Sequence, residues 1–340
     1  MTAIATISEL LKLSDSQYRL YDIGRKITKI SKDDFNKIEQ NQLAYPFPSQ
    51  GHAHLAIAFW QPKSTQSYLW FVKLPLDERG LLNQGARNHF IAIIVEALGS
   101  DLSVDPTEQQ EELLKSNPYH FTPAGYKLSA LNSLLKAELK QPASIHYDAV
   151  QEYIAGQHPW QDWHKLGLQG LSDYAARLEQ SENLNQLVKH FQLLPKQVLL
   201  PLCTSLENQA LNYQLIDVII QRVYQPIDED TQLHLLRSLA SSCDSIKVKQ
   251  LVESMLAKNS CSAEVIITLS SRCWQVLADD NLLIAFMEQL VRLDDQPLFA
   301  AIFKDLVAIP QLRPNIFSCM RSPKRSKALG KAIGLLFNQQ

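Results

Sequence analysis

Two hydrophobic periods divide the chain. In the N-terminal part, "AHLAIAFW" (53–60) sets Leu55, Ile57 and Phe59 at every second position, the spacing that lines one face of a strand, and "SYLWFVKL" (67–74) is rich in aromatic and β-favouring residues. The polar "QPKSTQ" between them (61–66), with its proline, predicts an antiparallel hairpin. "YRLYDIGRKITKI" (18–30) reads as a further strand or pair of strands, broken near Gly24. Ser31 is placed to cap a helix over "SKDDFNKIEQ", with Asp33 and Asp34 beside the positive end of its dipole. "GARNHFIAIIVEALG" (85–99) puts Phe90, Ile94, Ala97 and Leu98 on one helical face that covers the sheet, and Gly99 supplies a left-handed stop. Residues 100–112, polar and acidic with Pro106 inside and Pro118 just beyond, read as a connector. The order predicts a small α+β domain, an antiparallel sheet with helices, over residues 1–115.

From residue 116 onward strand signals nearly vanish and a repeat takes over. Apolar pairs placed to open the first helix of a hairpin occur at Leu199-Leu200, Leu235-Leu236, Ile266-Ile267 and Leu298-Phe299. Candidate second helices interleave with them at "QLVKHF" (186–191), "QLIDVI" (214–219), "QLVESM" (250–255) and "LLIAFM" (282–287). A helix pair with two apolar stripes cannot bury both alone, so stacking such pairs is the physical resolution. Turn residues Pro195, Pro226, Asn259-Ser260, Asp279-Asp280 and Pro310 fall between the helical windows. The expectation is an all-α HEAT-like helical-repeat (α-solenoid) domain over residues 116–340. An irregular helical bundle is its competitor.

Composition narrows the role. With 340 residues and a hydrophobic share of 46% the chain can bury a large core, and 33 basic against 35 acidic residues argue against generic polyanion binding by the whole molecule. Five cysteines, all in the second half and without a C-x-x-C pair, fit buried thiols in a reducing compartment, so the expected location is cytoplasmic. "MTAIATISELLKL" has no basic segment before an apolar block, and "FIAIIVEAL" is interrupted by Glu96 well short of a membrane span, so no membrane partner is expected. No G-x-x-x-x-G-K-[ST], G-x-G-x-x-G or G-x-S-x-G occurs, which removes the usual markers of P-loop, dinucleotide and serine-esterase chemistry. No cofactor is expected.

"YDIGRK" (21–26), "KLPLDERGLL" (73–82) and "ARNHF" (86–90) together resemble an uncharacterised bacterial protein family of about this length, one described only as a domain of unknown function. The similarity covers the whole chain. It implies a bacterial cytoplasmic setting and brings no activity, catalytic residue or partner.

Four constellations carry candidate chemistry. His52 and His54, two apart at a strand, aim both rings to one side, as a metal pair needs; Asp22, Asp77, Glu78 and His89 are the residues that would complete a hydrolytic site. The loop Asp77-Glu78-Arg79, with Arg87 and His89 presented from the helix behind, offers recognition. The same residues also read as turn chemistry after a strand ended by Pro75, with Gly80 and Gly85 relieving the backbone. Trp160 and Trp163 in "HPWQDWHKLG" can anchor an interface or plug a domain junction. Between residues 306 and 340 the six charged residues, Arg313, Arg321, Lys324, Arg325, Lys327 and Lys331, are all basic, which suits nucleic acid, an acidic protein surface or a solvated terminal helix cap.

These readings make the protein a non-catalytic protein-binding adaptor or assembly factor, because stacked helix pairs present a long interaction face. The alternatives are a metal-dependent or acid/base hydrolase in the N-terminal domain and nucleic-acid binding through the basic C-terminal segment.

Overall fold

The alternation in "AHLAIAFW" decides which way the sheet faces. In the computed structural model, which describes residues 4–62, 67–99, 107–258 and 261–337, Ala53, Leu55, Ile57 and Phe59 all enter one core. Four strands, β1 (Gln17–Asp22), β2 (Thr28–Ile30), β3 (His52–Trp60) and β4 (Tyr68–Pro75), form an antiparallel sheet in the order β2-β1-β3-β4. Leu20 lies opposite Ile57 and Ile57 opposite Trp70, which fixes the register on the apolar face. Ala56 and Ala58, on the other face of β3, are also fully buried, so this strand is covered on both sides. The segment 18–30 gives two strands, parted over Ile23–Ile27. Residues 63–66 of the expected hairpin loop lie outside the described residues; the strands it joins pair antiparallel as expected.

Three helices cover the core side: α1 (Ile7–Leu13), α2 (Lys32–Glu39) and α3 (Gln84–Leu98). Ser31 caps α2 by accepting from the Asp34 N–H at 3.0 Å. Asn83 caps α3, whose Phe90, Ile91 and Ile94 join the core, and Gly99 ends it at φ 68°. Burial of these side chains contributes about 2 kcal/mol each.

The expected connector is in part a helix. Residues 100–106 lie outside the described residues, but α4 (Glu108–Lys115) follows at once. Its cause is local: Thr107 and Gln110 form a capping box, and Lys115 reaches Glu111 one turn back at 2.9 Å. A polar composition was read as loop where capping was sufficient for a helix. The chain then returns to the free edge of β4, where the Lys73 N–H donates to Tyr119 O at 2.7 Å.

The structure divides into two compact units, Met1–Pro123 with Val307–Arg313, and Ala124–Leu306 with Pro314–Gln340. The chain is mostly helical, with seventeen α-helices among the described residues. The helices of the second part are α5 (Gly125–Glu138), α6 (Tyr147–Ile154), α7 (Leu168–Ala175), α8 (Ser181–His190), α9 (Lys196–Leu206), α10 (Tyr213–Val223), α11 (Glu229–Ser238), α12 (Ile246–Ala257), α13 (Ala263–Ser271), α14 (Asp280–Arg292), α15 (Gln296–Ala308), α16 (Arg313–Arg321) and α17 (Lys327–Phe337). Every apolar pair and every interleaved window of the sequence repeat falls on one of these helices or reaches its end. The pair Leu235-Leu236 is buried at both positions; in the others Leu199, Ile266 and Phe299 are the buried members, whereas Ile267 is 44% exposed. Pro195 and Asp279 stand at the caps of α9 and α14; Asn259-Ser260 lies outside the described residues.

Packing within the second unit follows parity. α5, α7, α9, α11 and α13 pack each on the next, α6, α8, α10, α12 and α14 do the same, and α6–α7, α10–α11 and α13–α14 join the two rows. The odd row is sewn by small polar residues: Ser129 Oγ donates to Ser172 Oγ at 3.0 Å, and Ser172 Oγ lies 3.1 Å from Ser205 Oγ. Their size lets the backbones close in. Gly170 serves the same end between α6 and α7, since a Cβ there would overlap the His146 carbonyl oxygen and lie 2.9 Å from Val150 Cγ2.

Asp173, fully buried, accepts from Ser133 Oγ at 2.8 Å and the Ser144 N–H at 2.9 Å and pairs with the buried Arg177 at 3.3 Å. Burial by itself would raise its pKa, but the bonds from Ser144 and Ser133 and the charge of Arg177 outweigh it and hold the carboxyl below its ordinary value.

Two outcomes follow for stability. Gly170→Ala is expected to cost about 2–3 kcal/mol in urea unfolding, because backbone must move. Asp173→Ala is expected to cost about 3 kcal/mol at neutral pH, leaving Arg177 buried without its partner. The folded pKa of Asp173 is depressed, so its contribution is full above the ordinary carboxylate value near 4 and is lost as pH falls through the folded value. The gap between wild-type and variant urea midpoints should therefore close on acidification, and a gap independent of pH down to acid unfolding would refute the assignment.

Candidate functional site

In the first unit the candidate histidines do stand together. The His52 and His54 rings lie 6.2 Å apart, as their i, i+2 spacing on a strand requires. His52 Nδ1 is 2.8 Å from the Gln50 carbonyl oxygen, and His54 meets the edge of Phe121 at 5.2 Å. Asp22 comes near: its Oδ1 and His54 Nδ1 each lie 3.4 Å from where a Cβ on Gly24 would stand. Tyr45, fully buried, donates to Asp22 Oδ1 at 2.7 Å, and burial with that negative charge pushes the phenol well above its ordinary pKa, so it stays a donor. Arg25, also buried, donates to Pro48 O at 3.0 Å. Among the described residues no group of three or more His, Cys, Asp or Glu is arranged to hold a metal ion.

The loop after β4 is accounted for by its turn. The Arg79 and Leu81 N–H groups donate to Asp77 Oδ1 at 2.9 and 2.8 Å, and these bonds, that from Leu81 first, hold the Asp77 carboxyl below its ordinary pKa. Gly80 takes φ 82°; Gly85 sits in the first turn of α3 without a positive φ, so only Gly80 relieves the backbone. Glu78 and Arg79 are exposed. Arg87 differs from expectation: it is not presented outward but buried, its guanidinium donating to Glu39 O at the C-terminal end of α2, where a cation suits the helix dipole. His89 lies 3.2 Å from the Tyr119 hydroxyl, away from this turn's bonding.

In the second unit Trp160 packs edge-on against Tyr153 at 5.2 Å and near His190 at 5.9 Å, and Tyr153 donates to its carbonyl at 2.7 Å. Trp163 is 39% exposed and contacts His164. Two residues that sequence reading passed over are more open: Tyr213, the first residue of α10, and Ile246, the first of α12, are 69% and 73% exposed. They occupy equivalent positions on neighbouring helices of the even row. Lys247 and Asp217, ion-paired at 2.5 Å, bridge the same two helices beside them. An apolar residue in the first turn of two consecutive even helices was the available sequence signal.

A polar tie crosses the odd row. Glu207, buried beyond the end of α9, receives Arg237 Nε from α11 at 2.9 Å and Arg272 Nε from the end of α13 at 3.2 Å, and the Arg237 guanidinium lies 5.5 Å over the ring of Tyr126 on α5. Arg272 also reaches the Tyr126 hydroxyl at 3.5 Å.

Around α16 and α17, Arg321, Lys324, Arg325, Lys327 and Lys331 are all exposed. Arg313 instead directs its guanidinium to the Val307 and Ala308 carbonyls. Among the described residues no helix is long and apolar enough to cross a membrane.

The chain belongs to the family described as "Protein of unknown function (DUF3549)", whose profile matches residues 2–337. No curated protein and no solved structure matches it.

The Asp77 turn yields a clean separation of roles. Asp77→Asn, which keeps an acceptor for the Arg79 and Leu81 N–H groups, is expected to melt like the parent, whereas Asp77→Ala should lower Tm by about 2 °C. Equal melting of both variants would show that the turn does not need the side chain.

Proposed function

We propose that the second unit is a HEAT-like α-solenoid that binds a protein partner without catalysis, in the manner of an adaptor or assembly factor. The observation that carries this reading is the registered exposure of Tyr213 and Ile246 on adjacent helices of the even row. Large apolar side chains at equivalent positions, rimmed by the Lys247–Asp217 pair, have the make-up of an interface anchor with a polar border. Row-on-row packing supports the same reading, because each further helix pair extends the surface by one similar step. The candidate histidine and carboxylate residues of the first unit give no comparable argument for hydrolysis: Asp77 is engaged in its turn, and His89 bonds to Tyr119.

The test is affinity purification of the tagged full chain from its native host, followed by binding measurements with the recovered partner. The double variant Tyr213→Ala/Ile246→Ala should weaken that complex by at least about 30-fold, the effect of losing one interface hot spot. Its melting temperature should stay near that of the parent, since both side chains are exposed. Undiminished affinity would remove this surface from the reading, and recovery of the chain without any stoichiometric protein would remove the reading itself.

A further inference from the structure

We infer that the α16–α17 end of the second unit binds single-stranded nucleic acid. Elsewhere in that unit exposed lysines are of both kinds: Lys165, Lys196 and Lys247 are paired with Asp162, Asp228 and Asp230, and Asp217, whereas Lys140, Lys189, Lys258 and Lys304 stand singly along the chain. Around α16 and α17 such cations are clustered. Arg321, Lys324, Arg325, Lys327 and Lys331 are exposed, and among the described residues none of the five forms an ion pair. Lys324 reaches only the neutral Asn281 side chain, at 3.4 Å, and Arg325 only the Met320 carbonyl.

Glu288 and Asp280 nearby accept from neutral donors, and Lys331 shares a cleft with Asp294 and Asp295. Glu288 of α14 accepts from the Ser326 N–H and Oγ, each at 2.7 Å, and Asp280 accepts from Asn315 at 2.9 Å. Glu288 thus takes up donors at the N-terminus of α17 and pins the turn between α16 and α17 to α14, while the flanking cations face solvent. A fixed turn flanked by five exposed cations, none of them ion-paired among the described residues, is complementary to a chain of phosphates.

An aromatic ring stands within the charge. Phe317, 46% exposed, lies one turn before Arg321 on the same face of α16. Its face is available to an unpaired base, which a duplex with its bases stacked inside does not offer. This combination favours a single strand over an acidic peptide, which would draw on the cations alone.

The experiment titrates the full chain into a fluorescein-labelled oligouridylate and reads anisotropy. If all five cations engage phosphates, binding should weaken about 100-fold between about 50 and about 200 mM salt. Lys324→Glu/Arg325→Glu/Lys327→Glu should reduce affinity by at least about 100-fold at the lower salt, and Phe317→Ala by about 10-fold. Lys327→Ala/Lys331→Ala, which removes two exposed side chains that form no ion pair among the described residues, should cost about 10-fold and guards against misfolding of the triple variant. Absence of binding at low salt, or equal binding by the charge variants, overturns the inference. So does binding of an oligoglutamate peptide, or of vesicles with equal parts phosphatidylcholine and phosphatidylserine, by a chain that ignores the oligonucleotide.

Discussion

Short helices impose the main constraint on this molecule. Between α6 and α16 they run from eight to thirteen residues, lengths at which an isolated helix in water is marginal, so each must gain its stability from neighbours. A helix with apolar residues on two sides needs a neighbour on each. The parity of packing in the second unit answers that need, with odd helices against odd, even against even, and cross-row pairs between them. The four-stranded sheet meets the same demand differently, by burying one face of β3 under α1, α2 and α3 and covering its other face at Ala56 and Ala58.

Close packing of so many helices leaves polar groups inside, and the structure uses them to set register. Asp173 is held by Ser133, Ser144 and Arg177, and Glu207 by Arg237 and Arg272. Such buried pairs add little net stability over apolar side chains of the same shape, but a slipped arrangement would strand a charge at a cost of several kcal/mol. Serine at 129, 172 and 205 works similarly: small enough for close approach, and satisfied only when its counterpart lies opposite.

The regular elements were legible wherever periodicity and capping agreed. Strands β3 and β4, the Ser31 cap and the interleaved helix windows follow from apolar spacing and local chemistry alone. α4 was missed because its residues are polar, and the Thr107 capping box, not burial, makes it a helix. The repeat was seen through apolar pairs whose spacing drifts, whereas the steadier marker was polar: Ser172, Ser205 and Ser238 recur at equal intervals and are all buried. Site residues were harder to read. Arg87 looked like a presented cation because nothing local shows that Glu39 O awaits it, and Tyr213 and Ile246 drew no notice because composition cannot tell an apolar residue on a helix's open side from one on its packed side.

Tyr126 lies near the start of the second unit, yet it touches Arg237 and Arg272, residues more than a hundred positions away. A simple stack of modules tolerates gain or loss of a module, since each touches only its neighbours. Here, deleting or duplicating a helix pair between α7 and α13 would shift Arg272 by one interhelical spacing, about 10 Å, out of reach of Tyr126. Through Tyr126, α5 ties the span of the odd row to the number of helices within it.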